Sequence, residues 1–185
     1  MRIAIDLDGT IFRTYQKFLL AFYRQFGYSC DPKRLSSLSY FSGEEKEWFV
    51  RYFQSVFAYT QLSIYRNCIG VINKWLQKGY QIYFLTSRPT DFYALTMKEL
   101  RKIGLPVDNL YLIARGQKGQ WSEENQIDIV IEDETPNALD ILSHSILVIL
   151  LVRDWNKNDL KEVQQAGGLI AHNWLEIQDI IGGEK

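Results

Sequence analysis

Short runs of apolar residues alternate with stretches of helical spacing through most of this chain. Ile3–Leu7, Gln81–Leu85, Leu110–Ile113, Ile129–Ile131 and Ile146–Val152 are too short to be helices and read as buried strands. Gly168–Ala171 is a weaker sixth. The patterns over Asn67–Lys78 and Asp91–Ile103 stop at Gly79 and Gly104, and the pattern over Asp159–Ala166 stops at Gly167-Gly168. Glycine there suits the left-handed residue that closes a helix. Thr135 followed by Pro136 predicts a helix start, with threonine as cap and proline at the first helical position. Trp174, Leu175 and Ile177 predict a last helix packed on the sheet. Alternation of this kind predicts crossover connections and a doubly wound, parallel α/β sheet.

One stretch breaks the alternation. More than 70 residues separate the first run from Gln81, with no convincing strand among them. Phe12–Phe26 has helical spacing and stops at Gly27. Ser42-Gly43-Glu44-Glu45 matches a capping box that opens a helix over Glu44–Phe57. That helix carries Trp48, Phe49, Tyr52, Phe53, Val56 and Phe57 in two adjoining stripes. Those residues either pack on other helices or line a pocket for a flat substrate. Residues 14–66 are therefore expected to form a helical insertion after the first strand, with 1–13 and 67–185 as the α/β core.

Composition narrows the partners. The chain has 185 residues, 46% apolar and 23% charged, enough for one domain plus a modest insertion. A net charge of −1 provides no strong field toward nucleic acid or an anionic membrane. The longest apolar run, Ile146–Val152, is far short of the roughly 20 residues that span a bilayer. The sequence opens directly on a strand, and its two cysteines, Cys30 and Cys68, lack metal or redox spacing. A cytoplasmic protein with free thiols is the expectation.

The candidate chemistry lies where the strands end, because open parallel sheets bind ligands beyond their carboxyl edges. The first strand closes on Asp6-Leu7-Asp8-Gly9-Thr10. Period two sends Asp6 and Asp8 off the same side, and two such carboxylates call for a cation between them. A hard divalent ion with oxygen ligands, Mg²⁺ above all, meets that need. The second strand closes on Thr86-Ser87-Arg88-Pro89 and the fourth on Glu132-Asp133-Glu134, while Lys118 sits in the loop Arg115–Gln120. A carboxylate nucleophile, a second carboxylate as acid and base, a hydroxyl and an ammonium together make a phosphoryl-transfer site.

This order and spacing resemble the haloacid dehalogenase superfamily of Mg²⁺-dependent phosphohydrolases, over nearly the whole chain. Asp6-Leu7-Asp8-Gly9-Thr10 looks like its D-x-D-G-T first motif, and Thr86 like the Thr or Ser of the second. Lys118 looks like the basic third, and Glu132-Asp133 like the acidic fourth. The resemblance implies a Rossmann-like core, a nucleophile and metal ligand at Asp6, and an acid/base at Asp8 whose backbone carbonyl also binds metal. Thr86, Ser87 and Lys118 would hold phosphate. Asp133 would be the third metal ligand, with Glu132 in support or in its place. The helical insertion would be a cap that selects substrate.

Within the superfamily the chain looks most like the 5′(3′)-deoxyribonucleotidase group and its bacterial relatives. Cap position, cap aromatics, the acidic pair and Leu151-Val152-Arg153-Asp154-Trp155-Asn156 carry that resemblance. It implies a small phosphomonoester substrate, a nucleotide above all; the alternatives are a phosphatase for a sugar phosphate or a nucleic-acid 3′-phosphate end, or a non-catalytic binding domain that kept the fold. The group places a base-stacking aromatic where this chain has Thr14; Phe12 and Tyr15 are close but not equivalent. The cap aromatics could also serve a homodimer face. Arg88 fits either a phosphate contact or a surface ion pair. His144 and His172 stand apart from the other candidates and read as structural.

Overall fold

The computed structural model describes residues 1–182, Ser36 by its backbone only. Its centre is a six-stranded sheet, parallel throughout, of β1 (Arg2–Asp6), β2 (Gln81–Thr86), β3 (Leu110–Leu112), β4 (Ile129–Glu132), β5 (Leu147–Leu151) and β6 (Leu169–Ala171). The order is β3-β2-β1-β4-β5-β6. All six expected strands are present, the weak sixth included. The chain winds outward in both directions from β1. The switch in winding opens a crevice beyond the carboxyl ends of β1, β2 and β4, which is where such sheets take ligands.

Helices cover both faces. On one, Ile3 and Ile5 pack with Trp75 of α3 (Cys68–Gln77) and Trp174 of α8 (Trp174–Gly182). Helices of that length are marginal alone. Each buried aromatic removes roughly 150–250 Å² from water, on the order of 4–6 kcal/mol at about 25 cal/mol per Å², so packing is what holds them. On the other face, Ala4 and Val130 pack with Ala138 and Ile141 of α6 (Thr135–Ser143) and Val163 of α7 (Leu160–Gln165).

After β1 the chain forms α1 (Thr14–Phe26), three short 3₁₀ turns and α2 (Gly43–Phe53). These elements share a core of their own in which Phe18 and Phe22 meet Phe41, Trp48 and Tyr52. The two connections to the sheet run side by side: Arg13 N–H donates to Ser63 O at 2.8 Å and Tyr65 N–H to Ile11 O at 2.9 Å.

Three local expectations are corrected. The second helix ends at Phe53 rather than Phe57, and Val56–Tyr59 turns as a separate 3₁₀ segment. The capping box does not close: Ser42 caps the helix without a side-chain bond, and the Glu45 carboxylate that would reach back is taken by Arg34 and by Tyr28. Glu134, not Thr135, precedes the first residue of α6, and the Thr135 hydroxyl donates to Asp159 instead. Two further helices complete the set, α4 (Tyr93–Lys102) and α5 (Lys118–Glu124). Cys30 and Cys68 are buried free thiols. Among the described residues no helix is long and apolar enough to cross a membrane.

Candidate active site

Asp6 is the last residue of β1, and Leu7 anchors the turn behind it in the core. The turn then needs Gly9: its φ is +93°, and a Cβ there would meet Asp133 Oδ2 at 2.0 Å. That close approach seats the loops after β1 and β4 against each other. Thr10 Oγ1 donates to Asp133 Oδ1 at 2.9 Å, and Trp155 Nε1 to Asp133 Oδ2 at 2.9 Å. Asn156 Nδ2 donates to the Asp133 carbonyl at 2.8 Å, and Arg153 Nε to the Gly9 carbonyl at 2.7 Å. The segment after β5 thus braces the acidic loop.

Asp6, Glu132 and Asp133 are all buried and offer oxygens within 4.8 Å of one another. Lys118 is the cation among them. Its Nζ donates to Asp6 Oδ1 at 2.6 Å and Glu132 Oε1 at 2.9 Å, and it is only 1% exposed. It lies at the first position of α5 rather than in a loop. Burial alone would lower its pKa, but Asp6 and Glu132 outweigh that and raise it. One ammonium does not balance three carboxylates. Burial, with Glu132 beside it, pushes Asp6 well above the usual carboxylate range. Asp133 is pushed the same way by burial, Asp6 and Glu132.

Asp8 has a different environment. Its carboxylate turns to Arg88, which grips it from Nε and Nη2, both at 2.7 Å. Thr14 Oγ1 also donates to it, and Thr86 Oγ1 lies at 3.4 Å. Burial would raise the Asp8 pKa, but Arg88 together with these hydroxyls holds it below the usual value. Asp8 therefore presents its charged, proton-accepting form. Its side chain is not part of the three-carboxylate cluster; the metal role the resemblance implies concerns its backbone carbonyl.

Asp6, Asp8, Thr86, Ser87 and Lys118 all line one cavity of about 280 Å³, with Arg88 and Arg115. Ser87 Oγ is buried there without a hydrogen-bond partner. The opposite wall comes from the inserted segment and is largely apolar: Leu38, Phe49, Val50, Phe53 and Tyr59. The α2 aromatics thus divide between both readings open from the sequence, with Tyr52 and Trp48 in the core of the insertion and Phe49 and Phe53 also at the cavity.

Several residues named from the sequence take roles that it did not assign. Arg88 is neither on the surface nor free; it is a buried partner of Asp8, also bonded to Thr96 at 3.2 Å. Glu134 accepts hydrogen bonds from Tyr15, Arg115 and Asn137 at the cavity mouth. Thr14, at the position where the resembled group has an aromatic, donates its hydroxyl to Asp8. The available signal was position: Arg88 lies two residues past Thr86 and Glu134 one past Asp133, both at strand ends. His144 and His172 lie outside the site and pair with Glu123 and Glu176.

No family model matches the chain. It is similar to a nucleotidase of Clostridium acetobutylicum, 26% identical, over 98% of this chain and 93% of that protein. Among solved structures it resembles a haloacid dehalogenase-like family hydrolase from Streptococcus pneumoniae, with a TM-score of 0.70, 19% identity and 97% of each chain covered. It also resembles a hydrolase of the same family from Deinococcus radiodurans, solved with bound phosphate and sodium. There the TM-score is 0.65 at 11% identity, covering 98% of this chain and 95% of that one.

Proposed function

We propose that this chain, which has the fold of the haloacid dehalogenase-like hydrolases, is a phosphoric monoester hydrolase, and more narrowly a Mg²⁺-dependent 5′-nucleotidase acting on nucleoside monophosphates through an aspartyl-phosphate. The observation that carries the reading is convergence. Two carboxylates, two hydroxyls and an ammonium, from the ends of β1 and β2 and the start of α5, line one cavity. The narrower substrate rests on the nucleotidase relative and on the aromatic wall.

The carboxylate cluster suits a hard divalent cation. Its donors are all oxygen, and Asp6 and Asp133 are pushed toward protonation by burial and by the negative charge of their neighbours. Asp6 and Asp133, with the Asp8 carbonyl, would hold Mg²⁺, and Glu132 would position Lys118. When bound, the ion offsets the charge that separates a phosphate dianion from a carboxylate nucleophile.

The residues then divide the work. Asp6 attacks phosphorus, the bond to the leaving oxygen breaks, and that oxygen takes a proton from Asp8. Asp8, left as carboxylate, takes a proton from water as the water attacks the phosphorus of aspartyl-phosphate, which frees Asp6 and orthophosphate. Thr86, Ser87 and Lys118 hold the remaining phosphate oxygens. The Arg88 grip favours the carboxylate form that the second step uses. The first step needs Asp8 protonated, so substrate binding has to alter that grip. Residues 14–66 act as the cap that shields these steps from water.

The test is phosphate release from 5′- and 3′-nucleoside monophosphates, sugar phosphates and an aryl phosphate, with Mg²⁺ or chelator. Release that needs Mg²⁺, favours 5′-nucleotides and falls at least about 1,000-fold in Asp6→Asn is expected. Full release from Asp6→Asn would end the aspartyl-phosphate reading, and a sugar phosphate as best substrate would end the nucleotidase one.

A further inference from the structure

The polar groups around the cavity are mostly engaged with one another. Asp6 takes Lys118, Asp8 takes Arg88, and Glu134 takes Tyr15, Arg115 and Asn137. The Tyr59 hydroxyl donates to the Phe53 carbonyl. Among the described residues, two polar side chains lining the cavity make no hydrogen bond of their own. One is Ser87, beside Thr86 on the core side. The other is Gln54, the residue that closes α2 on the opposite side.

A solvated glutamine without a partner is ordinary. Gln54 is set apart by its neighbours at the cavity, since Leu38, Phe49, Val50 and Phe53 are apolar and the Tyr59 hydroxyl has already given its one donor to Phe53. The inserted segment therefore offers a bound molecule flat apolar surface and a single free amide. Gln54 is exposed, so a substrate that packs against it has to displace water from that amide. The site then gains if the substrate supplies a donor and an acceptor side by side, and loses if it does not.

We infer that Gln54 reads the hydrogen-bonding edge of the substrate's base, while the aromatic wall takes its face. The inference rests on the nucleotidase reading and deepens it: phosphate recognition lies with the core, and base discrimination lies with one amide on the inserted segment. The substrate class is a nucleoside monophosphate whose base presents an adjacent donor and acceptor. A carboxylate in place of the amide accepts only. It would favour the guanine edge that shows two neighbouring donors, its ring N–H and its exocyclic amine.

The experiment measures kcat/KM with Mg²⁺ on the four common 5′-ribonucleoside monophosphates and on ribose 5-phosphate, for wild type, Gln54→Leu and Gln54→Glu, each checked for wild-type melting. Wild type is expected to favour at least one nucleotide over ribose 5-phosphate by about tenfold or more. Gln54→Leu should shrink that preference about tenfold, chiefly through KM. Gln54→Glu should move the base ranking toward guanosine monophosphate by a similar factor. If both variants keep the wild-type ranking, Gln54 does not read the base, and the nucleotidase reading stands. If wild type handles ribose 5-phosphate as well as any nucleotide, the nucleotidase reading itself falls, and the role of Gln54 with it.

Discussion

An alanine at position 9 would have to hold a φ of +93° and set its Cβ 2.0 Å from Asp133 Oδ2. The backbone strain alone is on the order of 1–3 kcal/mol. The carboxylate cannot simply swing aside, because Thr10 and Trp155 hold its two oxygens. Gly9→Ala should therefore lose more than about 1 kcal/mol in urea unfolding and weaken Mg²⁺ binding together. Wild-type stability in that variant would mean the loops after β1 and β4 are less tightly seated than their geometry indicates. Asp8 and Arg88 show how far one residue's role depends on its neighbour. The spacing of Asp6 and Asp8 was legible as a shared direction off a strand end. That the second carboxylate would be claimed by Arg88 was not, because their pairing spans 80 residues of sequence.

At the scale of elements, the strands were the most legible part of the chain. Parallel strands buried on both faces read as short apolar runs, and all six lie where those runs do. Helix ends were less legible because tertiary partners compete for the capping groups, as Arg34 does for Glu45. The helix that presents Lys118 was missed altogether. Its seven residues include Gly119, which fits closely against Asp140 and His144. The segment after β5 could be matched as a motif, but its work could not be read from it. Trp155 and Asn156 hold Asp133 from 22 and 23 residues away. Trp155→Phe keeps an aromatic ring against Tyr15 but is smaller and removes the donor to Asp133 Oδ2. It should cost about 1–3 kcal/mol and lower metal affinity about 10-fold or more, by urea unfolding and Mg²⁺ titration. Unchanged affinity would show that Thr10 alone suffices to orient the carboxylate.

For the whole molecule, the buried charges couple folding to pH and, on the proposed reading, to a cation. Asp6 and Asp133 have raised pKa values in the folded protein. Between the usual carboxylate range and those raised values, the folded state binds more protons than the unfolded one, so stability falls as pH rises. Asp8 works in the opposite sense: its lowered pKa adds stability that is present above the usual carboxylate value and lost as pH drops through the lowered one. The raised pKa of Lys118 adds stability that is fully present below the unfolded lysine value and fades only at higher pH. Above the usual carboxylate range and below the unfolded lysine value the last two contributions are flat, and Asp6 and Asp133 add a falling slope up to their raised values. Chelated protein should therefore lose stability steadily as pH rises through that window. A divalent cation takes the place of the protons, so its stabilisation should grow with pH. At 100 times its dissociation constant Mg²⁺ adds about 2.7 kcal/mol, or roughly 5–10 °C in Tm for a chain of this size. Melting curves with chelator and with Mg²⁺ at pH 5, 6.5 and 8 check this directly. Two lines that diverge toward high pH are expected. Parallel lines would mean that the three carboxylates do not share their charge with the ion, and that Asp6 and Asp133 are not its ligands.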